Sequence, residues 1–309
     1  MSAALPTDPR LSIVLTVVEG GAAVARALDA LLAQEAPPPL EIVVPYDDTA
    51  AYLDDLAPRY PAVRFLAMGT VPTEQPPTSA AGEHELFDRR RAAGLAVTTG
   101  DLVAILEDRG TPRADWARTA VRLHAALPNG VIGGAIDPLP SRLLEFAIHV
   151  CDFTRYTSPF VSGPREWVSD VNVVYKRRVL EQTRELWRER YQEPVVHWSL
   201  QKAGEALYLS DQLVVLHRRA AVPLSALADE RFHWGRLFGA IRGRSMSAAQ
   251  RLVFALTSPL IPLVLLLRHG RAQAAKGRLG RVVAAVPALL FLLVTWTAGE
   301  VAGVVTRRT

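Results

Sequence analysis

The sequence predicts an α/β fold built on a mostly parallel sheet with flanking helices, followed by C-terminal membrane-associated helices. Three observations predict it. Leu11 to Val18 (LSIVLTVV) and Leu102 to Leu106 (LVAIL) are short, nearly continuous apolar runs, the pattern of strands covered on both faces. Between the first run and the next, Glu41 to Val44, lies an Ala/Leu-rich segment with apolar residues three and four apart, and strand, helix, strand implies a parallel sheet. The chain then ends in two apolar segments of membrane character, at 252–267 and 282–305.

Each element follows in order. The first helix, Ala22 to Gln34, stops before Pro37-Pro38-Pro39. A third strand is expected at Val63 to Ala67, then a loop rich in Pro, Thr, Ser and Gly from Thr70 to Gly82, then a helix over Leu86 to Val97. The strand at Leu102 to Leu106 runs directly into Glu107-Asp108-Arg109-Gly110. Beyond it come Val131 to Ile136, a loop with several aromatics, Val171 to Tyr175, a helix from Arg178 and a strand from Leu213 to Leu216. In open α/β sheets ligands bind beyond the carboxyl ends of the strands, so Asp47-Asp48 and Glu107-Asp108 are expected to face one crevice. A solvated Asp-rich turn is the other reading of either pair.

With 309 residues, half of them apolar, the chain can bury a sizeable core. The single cysteine, Cys151, excludes an intramolecular disulfide framework. The Met1 end lacks the basic flank and apolar run of a secretory signal, so the N-terminal domain is expected to stay in the cytosol. A net charge of +4 conceals a division: residues 231–309 hold 12 Lys/Arg against the one acid Glu300, whereas residues 1–230 hold 23 basic and 30 acidic residues. Cations flanking apolar runs point to anionic lipid, and no nucleic-acid motif accompanies them, so no nucleic-acid partner is expected. The expected organisation is a cytosolic domain over 1–230, a basic amphipathic juxtamembrane segment over 231–251 and a membrane segment over 252–309. Within the last, 252–267 carries Pro259 and Pro262 and reads as a re-entrant or interfacial element, and 282–305 as a transmembrane helix; two spans are the other topology. Arg268, Arg271, Lys276, Arg278 and Arg281 between them should stay cytosolic, which puts the domain on the cytoplasmic face of the inner (plasma) membrane.

Several motifs in the same order resemble family 2 of the inverting glycosyltransferases, which use the GT-A fold. Thr16-Val17-Val18-Glu19 stands at the end of the first strand. Glu41-Ile42-Val43-Val44-Pro45-Tyr46-Asp47-Asp48-Thr49 resembles the family's Glu-Ile-Ile-Val-Val-Asp-Asp-Gly-Ser. Arg90-Arg91-Ala92-Ala93-Gly94 to Gly100-Asp101 resembles Ala-Arg-Asn-x-Gly-x-x-x-Ala-x-Gly-Asp, and Glu107-Asp108-Arg109 occupies the Asp-x-Asp position. Asp170-Val171-Asn172-Val173-Val174-Tyr175-Lys176-Arg177 is similar to the Asn-x-x-Tyr-x-Arg segment, and Gln192-Glu193, with Leu200 and Gly204 after it, falls at the Glu-Asp position. The resemblance spans residues 11–236, ending in Arg231-Phe232-His233-Trp234-Gly235-Arg236.

The resemblance implies a nucleotide-sugar donor bound by Thr16, Val18, Glu19, Asp47, Arg91, Glu107, Asp108 and Arg109. It implies an acceptor and phosphate side formed by Asn172, Arg231, His233, Trp234 and Arg236, and Glu193 as the base that takes the acceptor hydroxyl proton. Read without it, Glu193 is a surface acid at a helix start beside Pro194, and Arg231 to Arg236 is a juxtamembrane anchor, a role compatible with gripping phosphate. A divalent cation, Mg or Mn, would be held by Asp108, Glu107 and His217, although His217 alone also reads as a structural histidine. Arg109 replaces the second Asp of Asp-x-Asp and pairs with phosphate instead, so metal dependence is expected to be weak or absent. The expected activity is transfer of one sugar to a lipid-linked or membrane-borne acceptor, in glycan, polysaccharide or glycolipid assembly. A non-catalytic nucleotide-sugar-binding or scaffold subunit and a nucleotidyltransferase are the alternatives.

Overall fold

The computed structural model describes residues 10–139 and 142–308. The Met1 end, on which the expectation of no secretory signal rests, lies outside the described residues. In chain order the elements are β1 (Leu11–Thr16), α1 (Ala22–Leu32), β2 (Leu40–Tyr46), α2 (Leu53–Leu56), β3 (Val63–Ala67), α3 (Ala80–Val97), β4 (Leu102–Glu107), β5 (Gly110–Pro112) and α4 (Trp116–Ala126). They continue with β6 (Val131–Pro138), α5 (Leu143–Phe153), β7 (Gly163–Pro164), β8 (Asn172–Lys176), α6 (Arg177–Gln182), α7 (Arg184–Trp187), α8 (Glu193–Lys202) and β9 (Leu207–His217). The tail is α9 (Leu224–Gly243), α10 (Ala248–Thr257), a 3-10 turn at Ser258–Leu260, α11 (Ile261–Ala274) and α12 (Leu279–Thr306). Two compact units result, the first from residues 10–73, 85–139 and 156–219, the second from 74–84, 142–155 and 220–308.

The first unit is a sheet of order β3-β2-β1-β4-β8-β6-β9-β5, with β7 paired to β9. β3, β2, β1 and β4 are mutually parallel, and β8 runs against both β4 and β6. The mostly parallel expectation therefore holds for the N-terminal half and gives way to a mixed sheet beyond β4. All six residues of β1 and of β4 are buried, as their continuous apolar runs require. Val24, Ala27, Leu28 and Leu31, spaced three and four apart on α1, join Leu11, Ile13 and Leu15 of β1 in one core.

Asn172, expected on the acceptor side, is instead a core residue. It is 0 % exposed, accepts a hydrogen bond from Trp116 Nε1 at 3.0 Å, and donates from Nδ2 to the carbonyls of Ala135 and Leu213 at 2.9 Å each. Those carbonyls flank an irregularity at which the β6–β9 register passes from Gly134↔Ser210 to Ala135↔Val214. A Cβ at Gly134 would collide with the Leu213 carbonyl and with the Asn172 amide, so glycine is required there by close approach.

The second unit is helical. Phe146, Ala147, Ile148 and Val150 of α5 form a core with Leu227 of α9 and Val282, Ala285, Leu289 and Leu292 of α12. The loop with several aromatics therefore contains a helix. α9 and α12 lie parallel with their backbones in contact, because Gly235, Gly239 and Gly243 face the backbone of Trp296, Glu300 and Val304, and Gly299 and Gly303 face that of Phe232 and Arg236. Arg242 Nη1 reaches Glu300 Oε1 at 2.9 Å, so the acid within the last apolar run is paired. Pro259 and Pro262 cause one 3-10 turn and do not end the preceding helix, so Ala248–Ala274 is a 27-residue helical segment. Both it and the 28-residue Leu279–Thr306 are long and apolar enough to cross a membrane.

Asn172→Ala leaves an indole N–H and two carbonyls without their partner and is expected to lower unfolding stability by about 2–4 kcal/mol. Urea unfolding in detergent measures this. Stability equal to wild type would contradict this core role of Asn172.

Candidate active site

β1 lies between β2 and β4, so the connections after β1 and after β4 leave in opposite directions along the sheet. This strand-order reversal is where open α/β sheets form a ligand crevice. Thr16 and Glu107 are register partners at the two carboxyl ends, which brings the segments 16–19 and 107–109 together. The Thr16 hydroxyl is buried with no hydrogen-bond partner among the described residues. Arg109 Nε stands 3.7 Å from Glu19 Oε2.

Asp108 joins the two segments. Its Oδ1 accepts from the backbone N–H of Val18 and Glu19 at 3.2 and 3.1 Å, and its Oδ2 from Glu19 and Gly20 at 3.1 and 2.6 Å. Both oxygens are thereby filled. This corrects the expectation of Asp108 as a metal ligand and gives it the task of closing the turn between β1 and α1. At the end of β2, Asp47 accepts from Thr49 N–H at 2.9 Å and from Arg90 Nε at 2.7 Å. Burial acts against its charge, but Arg90 and Thr49 hold the carboxyl below the usual range. Arg90 also donates to the Val17 carbonyl at 2.6 Å, so it links the ends of β1 and β2. The arginine at the ends of β1 and β2 is thus Arg90, where the motif pointed to Arg91; consecutive helical residues diverge by a large angle, and the pair part accordingly.

Arg91 points into a group of acids. Its Nη2 donates to Glu107 Oε1 at 2.6 Å and meets Asp170 Oδ2 at 3.1 Å, while Nη1 reaches Asp88 Oδ1 at 3.4 Å. It is 3 % exposed and engaged, which corrects the expectation that it faces the nucleotide. Three carboxylates about one guanidinium leave excess negative charge in a desolvated place. Burial pushes Asp88 up to about 7, with Arg91 opposing and Asp170 reinforcing, and burial likewise raises Glu107 to about 7.

Glu193 opens α8, with Pro194 in the first turn. The segment before it is fastened to α3: Arg190 pairs with Glu85, Tyr191 N–H donates to the Asp88 carbonyl at 3.0 Å, and Gln192 hydrogen-bonds the Asp88 carboxyl. Glu193 Oε2 accepts from Asp170 N–H at 3.1 Å, and its side chain is 17 % exposed, so the carboxylate is oriented and still reaches solvent. Through Asp170 it stands beside the Arg91 group. Arg90, Asp88 and Asp170 were not singled out as site residues by the sequence reading, although all three lie in or beside the quoted motifs.

A divalent cation does not fit the residues present. The Asp108 oxygens are filled by N–H groups, one Glu107 oxygen is bound to Arg91, and no third acid or histidine, His217 at the end of β9 included, completes a ligand set with them among the described residues. Among the described residues no group of three or more His, Cys, Asp or Glu is placed to hold a metal.

The remaining expected residues belong to α9 in the second unit. Arg231, 1 % exposed, is held by Asp152 through both terminal nitrogens, Nη2 at 2.7 Å from Oδ2, and stacks on Trp234 at 5.3 Å. Its fork is used within the unit, which corrects its expected phosphate role. His233 Nε2 meets Asp229 at 3.3 Å, Trp234 packs edge-on against His84, and Arg236 Nε donates to the Arg308 carbonyl at 3.3 Å.

No family model matches the chain, and no curated protein matches it. Solved structures do. TarS residues 1–349 from S. aureus, determined in complex with UDP-GlcNAc, is similar with a TM-score of 0.54 at 11 % identity, over 94 % of this chain and 90 % of that one. The mannosyltransferase PcManGT from Pyrobaculum calidifontis, in complex with GDP-Man and Mn2+, is similar with a TM-score of 0.49 at 18 % identity, over 99 % of this chain and 89 % of that one. The chain has a glycosyltransferase fold.

The Arg91 group sets a pH dependence. Folded-state values of about 7 for Asp88 and Glu107 lie above the unfolded 3.8 and 4.5, so the native state binds more protons between about pH 4 and pH 7. The contribution of these acids to stability therefore falls as pH rises across that window and levels off above it. Glu107→Gln is expected to gain Tm relative to wild type at pH 8 and to lose that advantage at pH 5. Thermal unfolding at the two pH values checks it, and an equal gap at both contradicts it.

Proposed function

We propose that the chain is an inverting glycosyltransferase that moves one sugar from a nucleotide-sugar to a lipid-linked or membrane-borne acceptor. The observation that carries this reading is the oriented, solvent-reaching Glu193 carboxylate, linked through Asp170 to the Arg91 group beside the β1/β4 crevice, on a fold shared with a structure that binds UDP-GlcNAc.

In this reaction Glu193 accepts the proton of the acceptor hydroxyl as that oxygen forms its bond to the anomeric carbon. The bond from that carbon to the donor phosphate breaks on the opposite side, and its electron pair leaves with the nucleoside diphosphate. Asp47, fixed by Arg90 and Thr49, takes the base or ribose, and the 16–19 segment receives the rest of the donor. Arg109 offers a guanidinium to the leaving diphosphate, bidentate chemistry suited to phosphate oxygens. With the Asp108 oxygens engaged by N–H groups, we assign the charge compensation to Arg109 and expect weak or no dependence on Mg or Mn. A nucleotidyltransferase would release pyrophosphate instead, and a scaffold subunit would bind donor without turnover.

The tail supports a membrane-borne acceptor. Leu252, Val253, Leu256, Leu260, Leu263 and Leu267 of the 248–274 segment are exposed, and Arg251, Arg268 and Arg271 adjoin them. Apolar side chains bordered by cations suit an anionic leaflet, and we place the protein at the inner membrane with the first unit on the cytoplasmic side.

A panel of UDP-, GDP- and TDP-sugars, each with EDTA, Mg or Mn, is expected to raise Tm for one nucleotide class irrespective of metal. Asp47→Ala abolishes that rise, whereas Glu193→Gln keeps it and loses sugar transfer by about two orders of magnitude or more. Stabilisation that requires metal overturns the role of Arg109, and full turnover by Glu193→Gln overturns the base. Replacing Leu256, Leu260 and Leu263 with Ser is expected to weaken binding to phosphatidylglycerol vesicles by about tenfold per leucine in co-sedimentation.

A further inference from the structure

Behind Glu193 lies a chain of buried groups that the sugar-transfer scheme does not use. His197 follows one helical turn later on α8 and is 0 % exposed. Its Nε2 lies 2.7 Å from Tyr175 Oη, and Tyr175 Oη in turn contacts Tyr191 Oη. Its Nδ1 has no hydrogen-bond partner among the described residues and faces Glu193 Oε1 at 3.6 Å. Tyr175 and Tyr191 are also fully buried.

The proton order along this chain follows from counting donors. Burial raises both phenols far above their ordinary values, so each hydroxyl keeps its proton at neutral pH and needs an acceptor. When Tyr191 donates to Tyr175 and Tyr175 donates to Nε2, both protons are used and the imidazole carries its own on Nδ1. The opposite order makes Nε2 the donor, leaves the Tyr191 proton with no acceptor in the chain, and turns the Nδ1 lone pair toward a carboxylate. Both consequences are unfavourable.

We infer that His197 is a positioning residue, held by Tyr175 and Tyr191 as the Nδ1–H tautomer so that its N–H fixes the Glu193 carboxylate. The inference rests on Glu193 being the base of the proposed reaction. Asp170 N–H holds one carboxylate oxygen, and His197 Nδ1, 3.6 Å from the other, is placed to close on it, which would set the plane of the group that must meet the acceptor hydroxyl. The charged or titratable groups facing Glu193 are His197 from its own helix, Asp170 from the segment before β8, Tyr175 from β8 and Tyr191 from the loop before α8, with Arg91 of α3 behind Asp170.

The test has two arms on the full-length protein in detergent. Long-range 15N–1H correlation of the imidazoles, with His197 assigned by its loss in His197→Gln, reads the tautomer with no need for turnover. We expect protonated Nδ1, and a change of its shift in Glu193→Gln; protonated Nε2, or no response to Glu193→Gln, overturns the inference whether or not sugar transfer is observed. The second arm uses the nucleotide-sugar that raises Tm. His197→Asn keeps an amide N–H near the Nδ1 position, whereas His197→Gln keeps a partner for Tyr175 and loses the donor to Glu193. We expect His197→Gln to lower kcat about 10-fold or more with donor KM unchanged, because the carboxylate loses the N–H that orients it. His197→Asn is expected to stay within about threefold of wild type, retaining an N–H directed at the carboxylate. Equal losses of kcat in both variants contradict the positioning role. A wild-type protein without turnover but with the predicted tautomer and its Glu193 response removes the sugar-transfer reading alone and leaves the hydrogen-bond assignment standing.

Discussion

Arg91 is the point at which the first unit's helix layer, its central strands and the segment leading to Glu193 meet. Its guanidinium touches Asp88 on its own helix, Glu107 at the end of β4 and Asp170 ahead of β8, and Asp170 N–H then orients Glu193. Removing it would leave three desolvated acids facing one another, an arrangement costing several kcal/mol. Burial of this group is what raises Asp88 and Glu107, with Asp170 reinforcing it, and the group lies beside the crevice to which we assign a diphosphate. Arg109, less enclosed and only 3.7 Å from Glu19, is the cation left to meet that diphosphate.

Much of the first unit was legible because its central strands are covered on both faces. Such strands need continuous apolar runs, and Leu11–Thr16 and Leu102–Glu107 carry them wherever they stand in the chain. α5 was not legible, because the apolar face it completes belongs to Val282, Ala285, Leu289 and Leu292, far away in sequence. The start of β9 was hidden by the irregularity opposite Gly134, which interrupts its alternation with Asp211 and Gln212. Motif order singled out Glu193, Asp47 and Glu107 as candidates but did not reveal what each side chain touches. Asp108 sits where a metal ligand is expected, yet the N–H groups that claim it lie in residues 18–20. Asn172 is polar in a motif near the acceptor side, and nothing local reveals that its amide ties β6 to β9.

The second unit shows the same division between pattern and partner. Its basic residues were read as phosphate or lipid contacts, but Arg231 is consumed by Asp152 and Arg242 by Glu300. The glycines at 235, 239, 243, 299 and 303 have a purpose visible only when α9 and α12 are seen backbone to backbone. The leucines exposed on the 248–274 segment remain as apolar surface with cations beside them, and they are the part of the tail best suited to lipid.

The central claim, that the β1/β4 crevice holds the donor and presents its anomeric carbon to Glu193, is tested most directly by a structure of the full-length protein with the stabilising nucleotide-sugar bound. The nucleotide is expected at Asp47, the diphosphate between residues 16–19 and Arg109, and Glu193 within hydrogen-bond reach, directly or through one water, of a hydroxyl placed for attack on the anomeric carbon. A donor bound outside this crevice, or one whose anomeric carbon faces away from Glu193, would contradict it.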